Sequence, residues 1–126
     1  MNPQKILFID DERDLTEIVG TLLRFHNLSV DTLNNARLLD RQLETAQYDL
    51  VVTDLMMPAV SGFDIVHTLR AHPTYHDVPI IALSAKILTD AERKLLLQQR
   101  VAMMVKPFEP HALVEQIKQT LATAAS

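Results

Sequence analysis

Five side chains, scattered over nearly the whole chain, are of the types that handle hard cations and phosphoryl groups: Asp10 and Asp11 side by side, then Asp54, Ser84 and Lys106. Two full negative charges ~4 Å apart repel by roughly 4 kcal/mol at an effective dielectric of about 20, so aspartates drawn together call for a cation. An all-oxygen donor set with room for water suits Mg²⁺, which prefers one or two carboxylates plus phosphate oxygens to a complete protein cage. A lysine supplies a compact positive charge and a serine a donor, both suited to phosphoryl oxygens. In that company Asp54 would be a carboxylate nucleophile, served by positioning and charge neutralisation. Taken singly, each residue has a plainer reading. Asp10-Asp11-Glu12 suits a helix N-terminus, Asp54 a turn, Ser84 a loop cap and Lys106 a solvated surface. The chemistry depends on whether the chain brings them together.

Apolar runs of strand length alternate with helical patterns from end to end. Ile6-Leu7-Phe8-Ile9 is continuous and is followed by Leu15, Ile18, Val19, Leu22 and Leu23, the spacing of one helix face. Ser29 to Leu33 interleaves polar residues, then Ala36, Leu39 and Leu43 mark a second helix with Asn34 or Asn35 as its cap. Leu50-Val51-Val52 is a third strand, and Phe63, Ile65, Val66 and Leu69 a third helix that Pro73 ends near His72. Val78 to Leu83 is predicted as the fourth strand. Thr89 and Glu92 have the spacing of a capping box. Val101 to Val105 makes a fifth strand, and Pro110 opens a helix with the face Leu113, Val114, Ile117 and Leu121. Residues 122–126 are expected to fray.

Strict alternation with helix-length crossovers requires a parallel sheet, and continuous apolar strands require cover on both faces. Asp31 in the middle of the second strand places that strand at an edge. The expected fold is therefore α/β: a doubly wound five-stranded parallel sheet, flavodoxin-like, (βα)5, in the order 2-1-3-4-5. In such a sheet ligands gather at the carboxyl ends of the strands, beside the point where the order reverses. Asp10-Asp11-Glu12 end strand one, Asp54 ends strand three, Ser84 ends strand four and Lys106 follows strand five, so three aspartates, a hydroxyl and a lysine fall on one rim.

The composition narrows the function further. At 126 residues, 48% hydrophobic and 22% charged, residues 1–126 read as a single domain with a core over about 4–121. A net charge of −4 and no Lys/Arg run argue against direct binding of nucleic acid. The absence of cysteine excludes disulfides and thiolate metal sites. The polar Asn2 to Lys5 and the short apolar run after them match neither a signal peptide nor a membrane span, and the expected location is the cytoplasm.

On these residues the chain resembles the receiver domains of bacterial two-component response regulators, over about residues 4–121. The matching stretches are "ILFIDDE" (6–12), "DLMMPAVSG" (54–62), "ALSA" (82–85) and "KPF" (106–108). The resemblance implies that Asp54 accepts a phosphoryl group from the phosphohistidine of a sensor histidine kinase or phosphotransfer protein. It also implies Mg²⁺ held by Asp11, Asp54 and the backbone carbonyl of Met56, with Asp10 assisting through water. Ser84 would hydrogen-bond the phosphoryl group and Lys106 would pair with it. The fourth helix and its flanking loops, attached to Ser84 and Lys106, would then move and alter a face that an output partner reads.

Three departures from the family pattern stand out. Met103 occupies a position usually aromatic, Gln99-Arg100 replaces a Gly-Ala that would stop the fourth helix, and Val101-Ala102 replaces an acidic pair. The last argues against a charge-paired dimer face, although a dimer formed on phosphorylation stays open. If Met103 or Met104 points outward, the 87–105 face becomes an apolar partner surface. Rival functions fit less well. A haloacid-dehalogenase-type phosphatase needs a second acid where Met56 stands, and a flavin or nucleotide binder needs a Gly-rich cradle that two glycines, Gly20 and Gly62, do not make. A regulator acting alone by protein contact is favoured over a receiver cut from a larger DNA-binding or enzymatic regulator. His72 and His76 read as a solvated loop, His67 and His111 as surface residues, Gly20 as a close packing point and Met57 as core filling. Met56 stands where its side chain can govern water's access to Asp54.

Overall fold

Ile6, Leu7, Phe8 and Ile9 are all fully buried, which a strand achieves only when both of its faces are covered. The structure, a computed structural model, describes residues 4–125. The readings made for Met1 to Pro3 and for Ser126 lie outside the described residues. The elements run β1 (Lys5–Ile9), α1 (Arg13–Phe25), β2 (Ser29–Leu33), a 3₁₀ turn (Ala36–Leu38) leading into α2 (Leu39–Thr45), and β3 (Leu50–Asp54). They continue as α3 (Gly62–Ala71), β4 (Ile80–Ser84), α4 (Asp90–Gln98), β5 (Val101–Val105) and α5 (Pro110–Ala125). All five strands are parallel, in the order β2-β1-β3-β4-β5. The doubly wound fold expected from the alternation is the one observed.

Alternate residues of each strand feed two cores. Leu7, Ile9, Val51, Ile80 and Ala82 pack with Leu39 and Leu43 of α2, Ile65, Val66 and Leu69 of α3, and Leu96 of α4. Ile6, Phe8, Val52, Ile81 and Leu83 pack with Val19 and Leu23 of α1 and with Leu113, Val114, Ile117 and Leu121 of α5. Register then sets the rim. Ile9 pairs with Thr53, Asp54 with Leu83, and Ser84 with Val105. One step beyond these pairs, Asp10 must stand beside Asp54, and Lys106 must follow Val105 onto the same edge.

Local chemistry explains the boundaries. Ser61 caps α3 and Thr89 caps α4, each in a reciprocal capping box, with Asp64 and Glu92 respectively. Asn35, not Asn34, caps the 3₁₀ turn, through the Arg37 amide. Asp31 is tolerated in edge strand β2 because Tyr48 Oη donates to it at 2.6 Å and Lys5 Nζ lies 3.4 Å away. The strand expected from Val78 begins instead at Ile80 and runs through Ser84. Pro79 has no amide to donate, and the Val78 amide turns back to the Tyr75 carbonyl. Helix α5 continues through Ala125 where fraying was expected. The missing glycine stop of α4 is supplied by Arg100 itself, at φ 60°, in the left-handed region that favours glycine. Its guanidinium is anchored on Asp77 at 2.8 Å and on the His76 carbonyl at 3.0 Å, while Arg70 Nε donates to the Gln99 carbonyl at 2.8 Å.

Candidate functional site

The last backbone hydrogen bonds of β1 put Asp10 at the rim and keep it there. Its amide donates to the Leu33 carbonyl at 3.1 Å, and its carbonyl accepts from Asn34 Nδ2 at 2.7 Å. Asn34 also donates to Thr16 Oγ1, so the end of β2, the end of β1 and the first turn of α1 are tied together. The Asp10 carboxylate is fully buried. One oxygen accepts the Glu12 amide at 2.9 Å and the other accepts Lys106 Nζ at 2.8 Å. Burial raises the Asp10 pKa and the nearby Asp54 charge adds to the rise, against the opposing bonds from Lys106 and the Glu12 amide.

Asp54 is also buried, at the end of β3, with one carboxylate oxygen accepting the Met56 amide at 3.2 Å and the other accepting Lys106 Nζ at 3.2 Å. The turn behind it leaves no space. A Cβ on Gly62 would lie 2.3 Å from the Asp54 carbonyl oxygen and 2.6 Å from Leu55 Cα, so only glycine lets α3 begin here. Within the same turn Ala59 has φ 69° and the Val60 amide bonds the Pro58 carbonyl at 2.7 Å. That is the positive-φ γ-turn, an uncommon and strained arrangement for a residue with a side chain.

Lys106 closes the site from β5, after a backbone bond from its amide to the Ser84 carbonyl at 2.8 Å. Its ammonium touches Asp10, Asp54 and Glu12, the last at 3.1 Å. Burial alone would lower its pKa, but the bond to Asp10 and the charges of Asp10 and Asp54 outweigh that, and the value stands above the ordinary lysine range. Oxygens of Asp10, Glu12 and Asp54 all lie within 4.8 Å of one another. Three carboxylates against one ammonium leave an excess of negative charge on a purely oxygen donor set, the environment a hard divalent cation fits.

The structure therefore joins Asp10, Asp54 and Lys106 directly. Ser84 and Met56 reach these three through their backbones, to Lys106 and Asp54 respectively, while the Asp11 carboxylate and the Ser84 hydroxyl make no hydrogen bond to them among the described residues. Asp11 is exposed and, with Asn34, Asn35, Arg37, Met57 and Pro58, faces a cavity of about 310 Å³ beside the cluster. Ser84 is buried, with its hydroxyl bonded to the Lys86 carbonyl at 3.1 Å and to the Lys86 amide at 3.3 Å. Met56 is 54% exposed next to Asp54, whereas Met57 packs against the core. Sequence reasoning gives Glu12 no role and offers Asn34 only as one of two candidate caps, with Asn35. Both matter because they stand at the same rim, a signal that an Asn ending β2 already carried.

The α4–β5 side is apolar. Ile87 and Val105 are 88% and 70% exposed, Leu97 and Met103 are exposed too, and Met104 turns inward to the core.

Buried aspartates on either side of the strand-order switch point, with a lysine reaching over them from the edge strand, define a receiver-type signalling module. The chain belongs to the response regulator receiver domain family, which residues 6–118 match, and it is thus a module of two-component signalling. It is 34% identical over 123 residues to a transcriptional regulatory protein, a CpxR homolog of Haemophilus influenzae, covering 97% of this chain and 52% of that protein. The chain thus spans about half the length of that relative. The structure is similar to the chemotaxis protein CheY4 of Vibrio cholerae, with a TM-score of 0.85 at 24% identity over 94% of this chain and 98% of that one, a likeness of fold. It is also similar to the receiver domain of the sensor histidine kinase PA1611 of Pseudomonas aeruginosa, with a TM-score of 0.81 at 25% identity over 96% and 99% of the two chains. That receiver was solved with a magnesium ion coordinated in its active-site cleft.

Proposed function

We propose that residues 1–126 act as one receiver domain and that Asp54 is its phosphoryl acceptor. The observation that carries this is the Asp54 carboxylate, buried at a strand end and bonded to Lys106 Nζ at 3.2 Å, beside a second buried carboxylate on Asp10. The donor is the phosphohistidine of a sensor histidine kinase or phosphotransfer protein. An Asp54 carboxylate oxygen forms the new O–P bond as the P–N bond to the donor imidazole breaks. The imidazole leaves with the electron pair and is protonated by solvent. The protein catalyses only this transfer to itself and the later loss of the group.

The oxygen-rich cluster of Asp10, Glu12 and Asp54 suits Mg²⁺; Asp11, Asp54 and the Met56 carbonyl would hold it directly and Asp10 through water, and the magnesium seen in the PA1611 receiver supports that choice. When bound, the ion neutralises charge on the carboxylates and the phosphoryl oxygens. Lys106 pairs with the phosphoryl group from the other side, and Ser84 donates to it.

The switch follows from Ser84. Its hydroxyl now serves the Lys86 backbone, and Lys86 Nζ in turn holds Glu92 Oε2 at 2.9 Å on the first turn of α4. A phosphoryl group offers Ser84 a charged acceptor, so the 84–89 loop and α4 lose one arrangement and take another. Shifting such an equilibrium from 1:99 to 99:1 needs about 5.5 kcal/mol of differential stabilisation. The face that changes is the apolar α4–β5 surface with α5 beside it, which a partner protein reads; a dimer formed on phosphorylation would use the same face.

A second reading rests on the relative of which this chain covers 52%, a transcriptional regulatory protein. On that reading the same switch controls an attached DNA-binding or enzymatic output domain, and residues 1–126 themselves touch no nucleic acid. No helix among the described residues is long and apolar enough to cross a membrane, and we place the domain's action in the cytoplasm. Intact-mass measurement with a small acyl-phosphate donor and Mg²⁺ tests the reading: one phosphoryl group is expected on the wild type and none on Asp54→Ala.

A further inference from the structure

Glu12 stands at the N-cap of α1, yet its side chain makes no capping bond. It reaches instead to the far edge of the sheet and accepts Lys106 Nζ at 3.1 Å, across 94 residues of sequence. Its own amide is pinned to Asp10 Oδ1 at 2.9 Å, so the turn that seats Asp10 also aims Glu12. The ammonium thus spends all three of its N–H donors on Asp10, Glu12 and Asp54.

These three acceptors are not equivalent. Asp10 and Asp54 are buried and, under the function proposed above, their oxygens are claimed by the cation and the incoming phosphoryl group. Glu12 is 64% exposed, and its carboxylate accepts no other hydrogen bond among the described residues. We propose that Glu12 is a positioning residue for Lys106. It keeps one N–H of the ammonium at the rim while the two donors released by Asp10 and Asp54 turn to the phosphoryl oxygens. Without it, a four-carbon side chain freed from two partners would spread over solvent rotamers and meet the phosphoryl group less often. The contact needs the reach of glutamate. Aspartate at 12 keeps the charge and loses the bond, which separates positioning from a general electrostatic effect.

This inference rests on the phosphoryl-acceptor reading, and its test is arranged to fail separately. Affinity for BeF₃⁻ is measured at saturating Mg²⁺ by calorimetry in the wild type, Glu12→Gln, Glu12→Asp, Lys106→Ala and the Glu12→Gln/Lys106→Ala double variant. Both single Glu12 variants are expected to bind on the order of tenfold more weakly, and Glu12→Gln is expected to cost nothing further once Lys106 is gone. In the protein without added metal, the ¹⁵N signal of the Lys106 ammonium is expected to exchange slowly in the wild type and to broaden in both Glu12 variants. Wild-type affinity in Glu12→Asp, or equal losses with and without Lys106, would overturn the proposal. If instead the wild type does not bind BeF₃⁻, or Asp54→Ala binds it equally well, the acceptor reading is what falls.

Discussion

The Ser84 hydroxyl faces its own loop: its Oγ lies 3.1 Å from the Lys86 carbonyl and 3.3 Å from the Lys86 amide. Those bonds give up their partner if Ser84 turns to a phosphoryl group on Asp54. Ser84→Ala should therefore still accept phosphate but fail to transmit it. Amide exchange over residues 85–98 is expected to change on phosphorylation in the wild type and to change little in the variant. A full wild-type response in Ser84→Ala would break the proposed link.

Glycine-to-alanine changes should separate the two glycines sharply. At Gly62 the added Cβ would meet the Asp54 carbonyl oxygen at 2.3 Å, backbone that cannot yield. We expect a loss of about 1–3 kcal/mol in urea unfolding, together with slower phosphorylation as Asp54 shifts. At Gly20 the nearest atoms are the flexible end of Arg24 at 3.4 Å and methyls of Val30 and Thr32 at 3.7 Å. Alanine fits there, and a gain of about 0.5–1 kcal/mol is expected from helix propensity.

Asp10→Asn should stabilise the protein in the absence of Mg²⁺. Burial and the neighbouring Asp54 charge work against an ionised Asp10, while Lys106 would keep Asp54 and Glu12 as partners. Added Mg²⁺ should raise the unfolding midpoint of the wild type and raise that of the variant less. Equal midpoints without metal and an equal response to it would contradict the electrostatic picture of the cluster.

The α4 capping box gives a pH test with a definite sign. Bonds from the Thr89 amide and from Lys86 hold the Glu92 pKa below its ordinary 4.5. The stabilisation is therefore present above pH 4.5 and lost as pH falls through the folded value. Chemical denaturation should find Glu92→Gln less stable than the wild type at pH 7, with the gap closing below that range. A gap that persists in acid would mean the box acts without its charge.

Met56 offers the means to tune the lifetime of the phosphorylated state. Its side chain is 54% exposed two residues past Asp54, a position from which we expect it to govern how readily water reaches the carboxylate. Met56→Ala is expected to speed hydrolysis a few-fold, read as decay of the phosphorylated mass peak; an unchanged or longer lifetime would remove that role.

Strand order and the convergence of Asp10, Asp54 and Lys106 were legible in the sequence because they rest on alternation and register. Apolar runs at Ile6 to Ile9 and Leu50 to Val52 demand two covered faces, and one step past their ends the carboxylates must meet. Capping boxes at Thr89 and helix ends at Pro73 and Pro110 were legible for the same reason: short-range chemistry decides them. What escaped was set by side-chain choice among several partners. Nothing local to Glu12 announces that it bonds Lys106 rather than capping α1, and nothing local to Ser84 tells which way its hydroxyl turns. Arg100 at φ 60° is a tertiary override: its grip on Asp77 and the His76 carbonyl holds a conformation that its own residue type disfavours.

The most direct test of the central claim is the chemical site of phosphorylation. The wild type is incubated with Mg²⁺ and a phosphorylated histidine-kinase or phosphotransfer domain, and the modified residue is located by reductive trapping and peptide fragmentation. A single acyl phosphate on Asp54, absent in Asp54→Ala and absent without Mg²⁺, is the expected result. Phosphate on another residue, or undiminished phosphorylation of Asp54→Ala, would contradict it.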